Sequence, residues 1–200
     1  PYTYIMKPIY LDYNASTPID PQVVEAMLPF LYGHYGNPSS SHWASENIEE
    51  AIHQARQHIA ALIGCKSSEV VFTSGGTESN NQAIKGVYFA NQHRGNHIIT
   101  TKIEHPAVLN PCSFLASIGA KVTYLDVDQY GLVDPKALAA AITDETILVS
   151  VMHANNETGT VQPIQELAEM TKSRGIIFHT DAAQSVGKLN IPWRDMQVDL

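Results

Sequence analysis

Apolar residues in this chain follow two alternating rhythms. Short stretches that are apolar at nearly every position, such as Ile147 to Met152 and Ile176-Ile177-Phe178, have the length and β-branched content of buried strands. Between them, apolar positions recur every three or four residues, as on one face of a helix. The pattern predicts a short extended segment, Ile9 to Tyr13, and a helix from about Pro21 to Tyr32, where Pro21 suits the first helical position. The stretch GHYGNPSSSH reads as a loop. A longer helix follows from about Ser45 to Ile63, with Ala51, Ala55, Ile59 and Leu62 on one stripe and Gly64 as its stop.

Beyond it, strands are predicted at Val70–Thr73, His97–Thr100, Val122–Leu125, Ile147–Met152 and Ile176–His179. Helices separate them: Thr77 to about Asn91, Pro106 to Ile118, one opened by DPKALAAAI, and Ile164 to Arg174. Asp134 is the expected N-cap of the third, with Pro135 at its first position. Strands alternating with helices of this length imply parallel pairing through right-handed crossovers. The fold class is therefore α/β, a mainly parallel sheet with flanking helices, preceded by an N-terminal appendage.

Composition narrows the function without naming it. Two hundred residues suffice for one substantial core, and 44% hydrophobic with 16% charged residues is an ordinary globular balance. The net charge of -8 is spread along the chain, and no Lys/Arg cluster suggests nucleic acid. No apolar run approaches the ~20 residues of a membrane span. The opening PYTYIMKPIYLDYN lacks the features of a secretory leader, so a mature cytoplasmic protein is expected. Cys65 and Cys112 make no disulfide framework, and no CxxC or HExxH pairing suggests zinc. His53 and His58, five apart on a predicted helix, lie off a common face.

In open α/β sheets, ligands bind beyond the carboxyl ends of the strands, which directs attention to the polar clusters that follow strands. In VVFTSGGTESNN, two glycines precede a helix start whose free N–H groups favour an anion; plain capping is the competing explanation. In TKIEHP, His105 stands where an imidazole can stack on a planar ligand or move protons, or simply mark a helix boundary. In MHANNETGT, the adjacent Asn155 and Asn156 either form an Asx-turn or donate to a phenolic oxygen. In HTDAAQSVGK, Asp181 either caps a turn or holds a proton on a heterocyclic nitrogen, with Gln184 as a neighbouring donor. Pyridoxal phosphate needs that whole set: a phosphate grip, a ring partner, a donor to the phenolate, and an acid that keeps the pyridine nitrogen protonated.

At these residues the sequence resembles a cysteine desulfurase, a pyridoxal-phosphate enzyme of the class-V aminotransferase group. YLDYNASTP, GNPSS, FTSGGTESNN, EHPAVLN, HANNETGTVQP and HTDAAQSVGK are similar to its motifs in the family's order, across nearly the whole chain. The resemblance implies an N-terminal segment, residues 1–15, and an incomplete cofactor-binding large domain of fold type I, residues 16–200. It implies Gly76 and Thr77 on the phosphate, His105 on the ring and as proton shuttle, and Asn156 near the phenolate oxygen and substrate. Asp181 would lie on the pyridinium nitrogen and Gln184 on the phenolate. The family takes sulfur from L-cysteine, leaves alanine, and passes an enzyme persulfide towards iron–sulfur assembly as a homodimer.

The chain departs from the family's pattern at Ser45, where a glycine is common. The resemblance also puts the cofactor-anchoring lysine, the persulfide cysteine and the small C-terminal domain beyond Leu200. The 200 residues alone are therefore expected not to perform the reaction; a second chain carrying the C-terminal half, or the rest of a longer enzyme, would complete the site. Lys188 is not expected to anchor the cofactor, and Cys65 and Cys112 read as packing residues. The competing functions are a selenocysteine lyase and a non-catalytic assembly protein that keeps the cofactor pocket as a relic.

Overall fold

The computed structural model describes residues 8–200. They fall into two compact units, one ending at Ala55 and one running from Arg56 to Leu200. In the first unit, α1 (Pro21–Tyr32) starts as its sequence dictates. Asp20 accepts a hydrogen bond from the Gln22 N–H at 2.8 Å, and Pro21 takes the first helical position. None of its residues is buried, and Val23, Val24, Met27, Leu28 and Leu31 are exposed. The expected extended segment Ile9 to Tyr13 joins no strand among the described residues: Tyr13 enters a turn, and its ring meets Tyr10 edge-on at 5.1 Å.

The departure at Ser45 is accommodated in that unit. Its side chain is buried, and its hydroxyl bonds the carbonyls of Ser40 and His42, both at 2.6 Å. The close approach falls on Gly36 instead, where a Cβ would stand 2.2 Å from the Ala44 carbonyl oxygen.

The boundary between units lies within α2 (Glu46–Ile63). The apolar stripe predicted for this helix is only partly covered. Ala60 is its one buried residue, while Ile59 and Leu62 are exposed. Val70–Thr73 also differs from expectation, because a strand needs a neighbour and none of the described residues pairs with it. Val70 is buried with its carbonyl bonded by the Arg56 guanidinium, which also lies over the Phe72 ring at 4.8 Å; Val71 and Phe72 are exposed.

The remaining elements alternate as predicted: α3 (Gly76–Asn91), β1 (His97–Thr101), α4 (Pro106–Ser117), β2 (Lys121–Leu125), α5 (Pro135–Ala141), β3 (Thr146–Ser150), α6 (Ile164–Lys172) and β4 (Ile177–His179). The four strands form one parallel sheet in the order β2-β1-β3-β4. Inner strands β1 and β3 are buried throughout, which explains their unbroken apolar runs, whereas β2 at the edge is partly exposed. Successive side chains point to opposite faces. Ile98 and Leu148 pack with Ile84, Val108 and Leu115 of α3 and α4. Ile99 and Val149 pack with Leu138, Ile164 and Leu167 of α5 and α6.

This order fixes where a ligand belongs. The chain leaves β1 towards β2, then crosses back to the other side of β1 to form β3. The topological switch therefore lies between the carboxyl ends of β1 and β3.

Candidate functional site

The loop after β1 is tied to the loop after β3 in two places. Glu104 accepts hydrogen bonds at Oε1 from the Thr101 hydroxyl (2.9 Å) and the Met152 N–H (2.8 Å). Asn155 donates from Nδ2 to the Ile103 carbonyl at 3.1 Å. His105 follows directly as the N-cap of α4, with Pro106 at the first helical position. Its Nδ1 accepts from the Ala107 N–H at 3.1 Å, so the neutral ring carries its hydrogen on Nε2. The residue is otherwise exposed.

Beyond β3, the two asparagines separate. Asn155 is buried, and its Oδ1 accepts from the N–H groups of Glu157 and Thr158, each at 2.9 Å, which is the Asx-turn. Asn156 stands next to it, half-buried. Asp181, two residues beyond β4, is held at both carboxylate oxygens. Its Oδ1 accepts from the Ala183 N–H at 3.1 Å, a turn cap, while its Oδ2 accepts from Asn80 Nδ2 at 2.8 Å. The carboxylate is thus fixed from two directions. Its main-chain carbonyl also receives the His153 N–H at 2.9 Å, linking it to the loop after β3.

Asn80 extends this linkage to α3, the helix opened by the paired glycines. Gly75 is its N-cap at φ 155° and supplies no side-chain cap. A Cβ on Gly75 or Gly76 would meet nothing within 4 Å, so the first turn opens on free space. Gly76 and Thr77 are exposed at that end, and Glu78 reaches back to the Ser74 N–H and hydroxyl, which holds its carboxyl below the usual range. A helix start with free N–H groups attracts a phosphate. Gln184 lies in the turn after Asp181, and Lys188 donates to its Oε1 at 2.7 Å. Hydrogen bonds therefore connect α3, the loop after β1, the loop after β3 and the Asp181 turn on one rim of the sheet.

Burial sets the protonation of the groups beneath. His179 is buried, bonds the Ser150 hydroxyl at 2.8 Å through Nδ1, and is pushed down to about 4 by desolvation against the opposing pull of Asp181. Glu104 is pushed up to about 7 by burial, with the Asp181 charge acting in the same direction. Cys112 is buried and its thiol raised to about 12, again by burial, so it is a packing residue. Cys65 is half-buried and its Sγ donates to the Lys66 carbonyl. Among the described residues no cluster of His, Cys, Asp or Glu is suited to a metal ion.

Two residues of this site escape the sequence. Asn80 sits 101 positions from the carboxylate it orients, and no local pattern connects them. Glu104 lies inside a motif that carries His105, but its role depends on an amide 48 residues away.

The pattern that defines aminotransferase class-V matches residues 9–200. The chain belongs to the class-V aminotransferase family. Among class-V relatives, cysteine desulfurase IscS of Dictyoglomus turgidum is 55% identical over 192 residues, covering 96% of this chain and 49% of that protein. Its namesake from Salmonella arizonae is 54% identical over 196 residues, covering 96% and 48%. A solved structure described as SspA in complex with cysteine superposes with a TM-score of 0.92 at 47% identity, covering 95% of this chain and 55% of that one. A NifS-like protein reaches the same TM-score at 38% identity. The chain spans about half the length of the curated relatives it matches.

Proposed function

We propose that this chain forms part of a cytoplasmic, homodimeric cysteine desulfurase that binds pyridoxal phosphate and takes sulfur from L-cysteine, leaving alanine. The sulfur would pass as a persulfide to an iron–sulfur scaffold or another acceptor. Residues 16–200 supply the larger part of the cofactor-binding domain, and polypeptide beyond these residues supplies the anchoring lysine and the persulfide cysteine. The observation that carries this reading is the Asp181 carboxylate, clamped by Asn80 and the Ala183 N–H on the same rim as His105. The relatives named cysteine desulfurase support it.

The residues present fit the cofactor. An anion-seeking helix start with open space over Gly75 and Gly76, an exposed imidazole and an oriented carboxylate match a phosphate, a ring and a ring nitrogen. When bound, pyridoxal phosphate supplies an electron sink for carbanion chemistry at the substrate. The chain's own groups do the rest. Gly76 and Thr77 would hold the phosphate, Asp181 would keep a proton on the ring nitrogen, and Asn156 and Gln184 would orient the phenolate side. His105 would stack on the ring and move protons.

The test uses full-length protein with its cofactor. Asp181→Ala is expected to release pyridoxal phosphate on dialysis, seen as loss of the cofactor's visible absorbance, and to abolish alanine release from L-cysteine. Cofactor retention and turnover equal to wild type would remove Asp181 from this role and the proposal with it.

A further inference from the structure

Among the described residues Glu104 is the only buried carboxyl, and it lies at the topological switch between β1 and β3. Both of its protein hydrogen bonds enter one oxygen, Oε1. The other, Oε2, is buried and has no partner. Lys102 pairs with Asp126 and Lys121 with Glu145, and no cation among the described residues forms an ion pair with Glu104. The ionisable group facing it from beyond β4 is the Asp181 carboxyl, a like charge, and from α4 it is the neutral thiol of Cys112. From the loop after β3 it meets the Met152 amide, and the neighbouring His153 ring lies against Trp193 at 5.1 Å. On its own loop, Lys102 is exposed and paired with Asp126, and His105 is held by the Ala107 amide.

A carboxyl with both hydrogen bonds entering one oxygen and no protein cation beside it suits a neutral acid, because an unpaired buried charge is strongly disfavoured. We propose that Glu104 is a positioning residue for His105: as a neutral acid it clamps the β1–α4 loop to the end of β3, and ionisation shifts that loop through repulsion from Asp181, although the two hydrogen bonds themselves strengthen on a charged oxygen. The inference rests on the desulfurase reading only where it gives His105 a proton to move. The clamp acts on the residue immediately before the α4 cap, so a change at Glu104 is transmitted along one peptide unit. Ionisation puts a second negative charge near Asp181, which opposes keeping both groups in their present places. Burial and Asp181 together raise Glu104 to about 7, so the two states exchange near neutral pH.

The test is run on the full-length protein, first stripped of cofactor. Infrared difference spectra between acid and alkaline buffer are expected to show a protonated-carboxyl band that disappears with a midpoint near neutrality and is missing in Glu104→Gln. In the same samples, nitrogen NMR of the His105 ring is expected to report a second transition following that midpoint, lost in Glu104→Gln. In the loaded enzyme, Glu104→Ala is expected to lower kcat by about 10², with KM little changed, as a misplaced proton carrier does. Glu104→Gln keeps an acceptor for both donors and is expected to restore most of that loss while removing the alkaline decline of the pH profile. Absence of the carboxyl band in wild type, or a His105 titration identical in wild type and Glu104→Gln, would overturn the proposal. If Glu104→Ala does not fold, Glu104→Gln alone decides. The infrared and NMR readouts are taken without cofactor, so they fail separately from the desulfurase reading.

Discussion

The imidazole of His105 is committed at Nδ1 to the Ala107 amide, so protonating that nitrogen breaks the cap of α4. Capping therefore competes with any proton taken up at that nitrogen. Asparagine caps helices well but carries no proton at neutral pH, which separates the two duties. His105→Ala is expected to lower stability by about 1 kcal/mol, while His105→Asn should stay within a few tenths of wild type in denaturant titrations. Both should lose about 10²–10⁴ in turnover with L-cysteine. Equal turnover for His105→Asn and wild type would leave His105 as a cap alone. The legibility of the site at this scale is uneven for a physical reason. His105 and Asp181 are readable as candidates because each follows a strand closely and has unusual chemistry for that place. Asn80 was not, since an amide in the first turns of a helix looks like any polar helix residue until its partner is known.

Element by element, what was legible depended on whether the deciding interactions are local. α1 and α5 begin where Asp20-Pro21 and Asp134-Pro135 place them, because a cap and a proline act within one turn. Val70–Thr73 has strand composition but makes no ladder with the described residues, since pairing is decided by a neighbour that its own residues do not encode. The stripe on α2 was equally visible, and its cover was not. The tie between α3 and the Asp181 turn is the clearest non-local element. Asn80→Ala is expected to leave the Asp181 Oδ2 without its donor, lowering stability by about 1 kcal/mol and weakening cofactor retention more than it weakens the fold. Thermal melts with and without pyridoxal phosphate measure both; an equal shift in the two would mean that Asn80 only holds the helix.

Taken as one molecule, the chain should show opposing responses to acid. His179 ordinarily titrates at 6.5 and is pushed to about 4 in the fold, so below pH 6.5 the unfolded chain takes up a proton that the folded one refuses, and stability falls as pH falls. His97 and His153, also lowered by burial, add to that limb. Glu104 is raised from 4.5 to about 7, so above pH 4.5 the unfolded chain has released a proton that the folded one keeps, and stability falls as pH rises through neutrality. Between these limits the two slopes partly cancel. Glu104→Gln should uncover the histidine limb, steepening the loss below pH 6.5 by about 1.4 kcal/mol per pH unit in chemical denaturation. Superimposable stability curves for the two proteins would show that Glu104 keeps its charge in the fold.

At the opposite rim, His97 at the start of β1 bonds Thr146 of β3 through Nδ1 at 2.8 Å and Thr123 of β2 through Nε2 at 2.9 Å. One ring thus pins three strands to a common index. Sliding either neighbour by one residue would leave a buried nitrogen dry and turn every side chain of that strand to the wrong face. The rim that gathers Glu104, His105 and Asp181 is aligned, in effect, from the far end of the sheet.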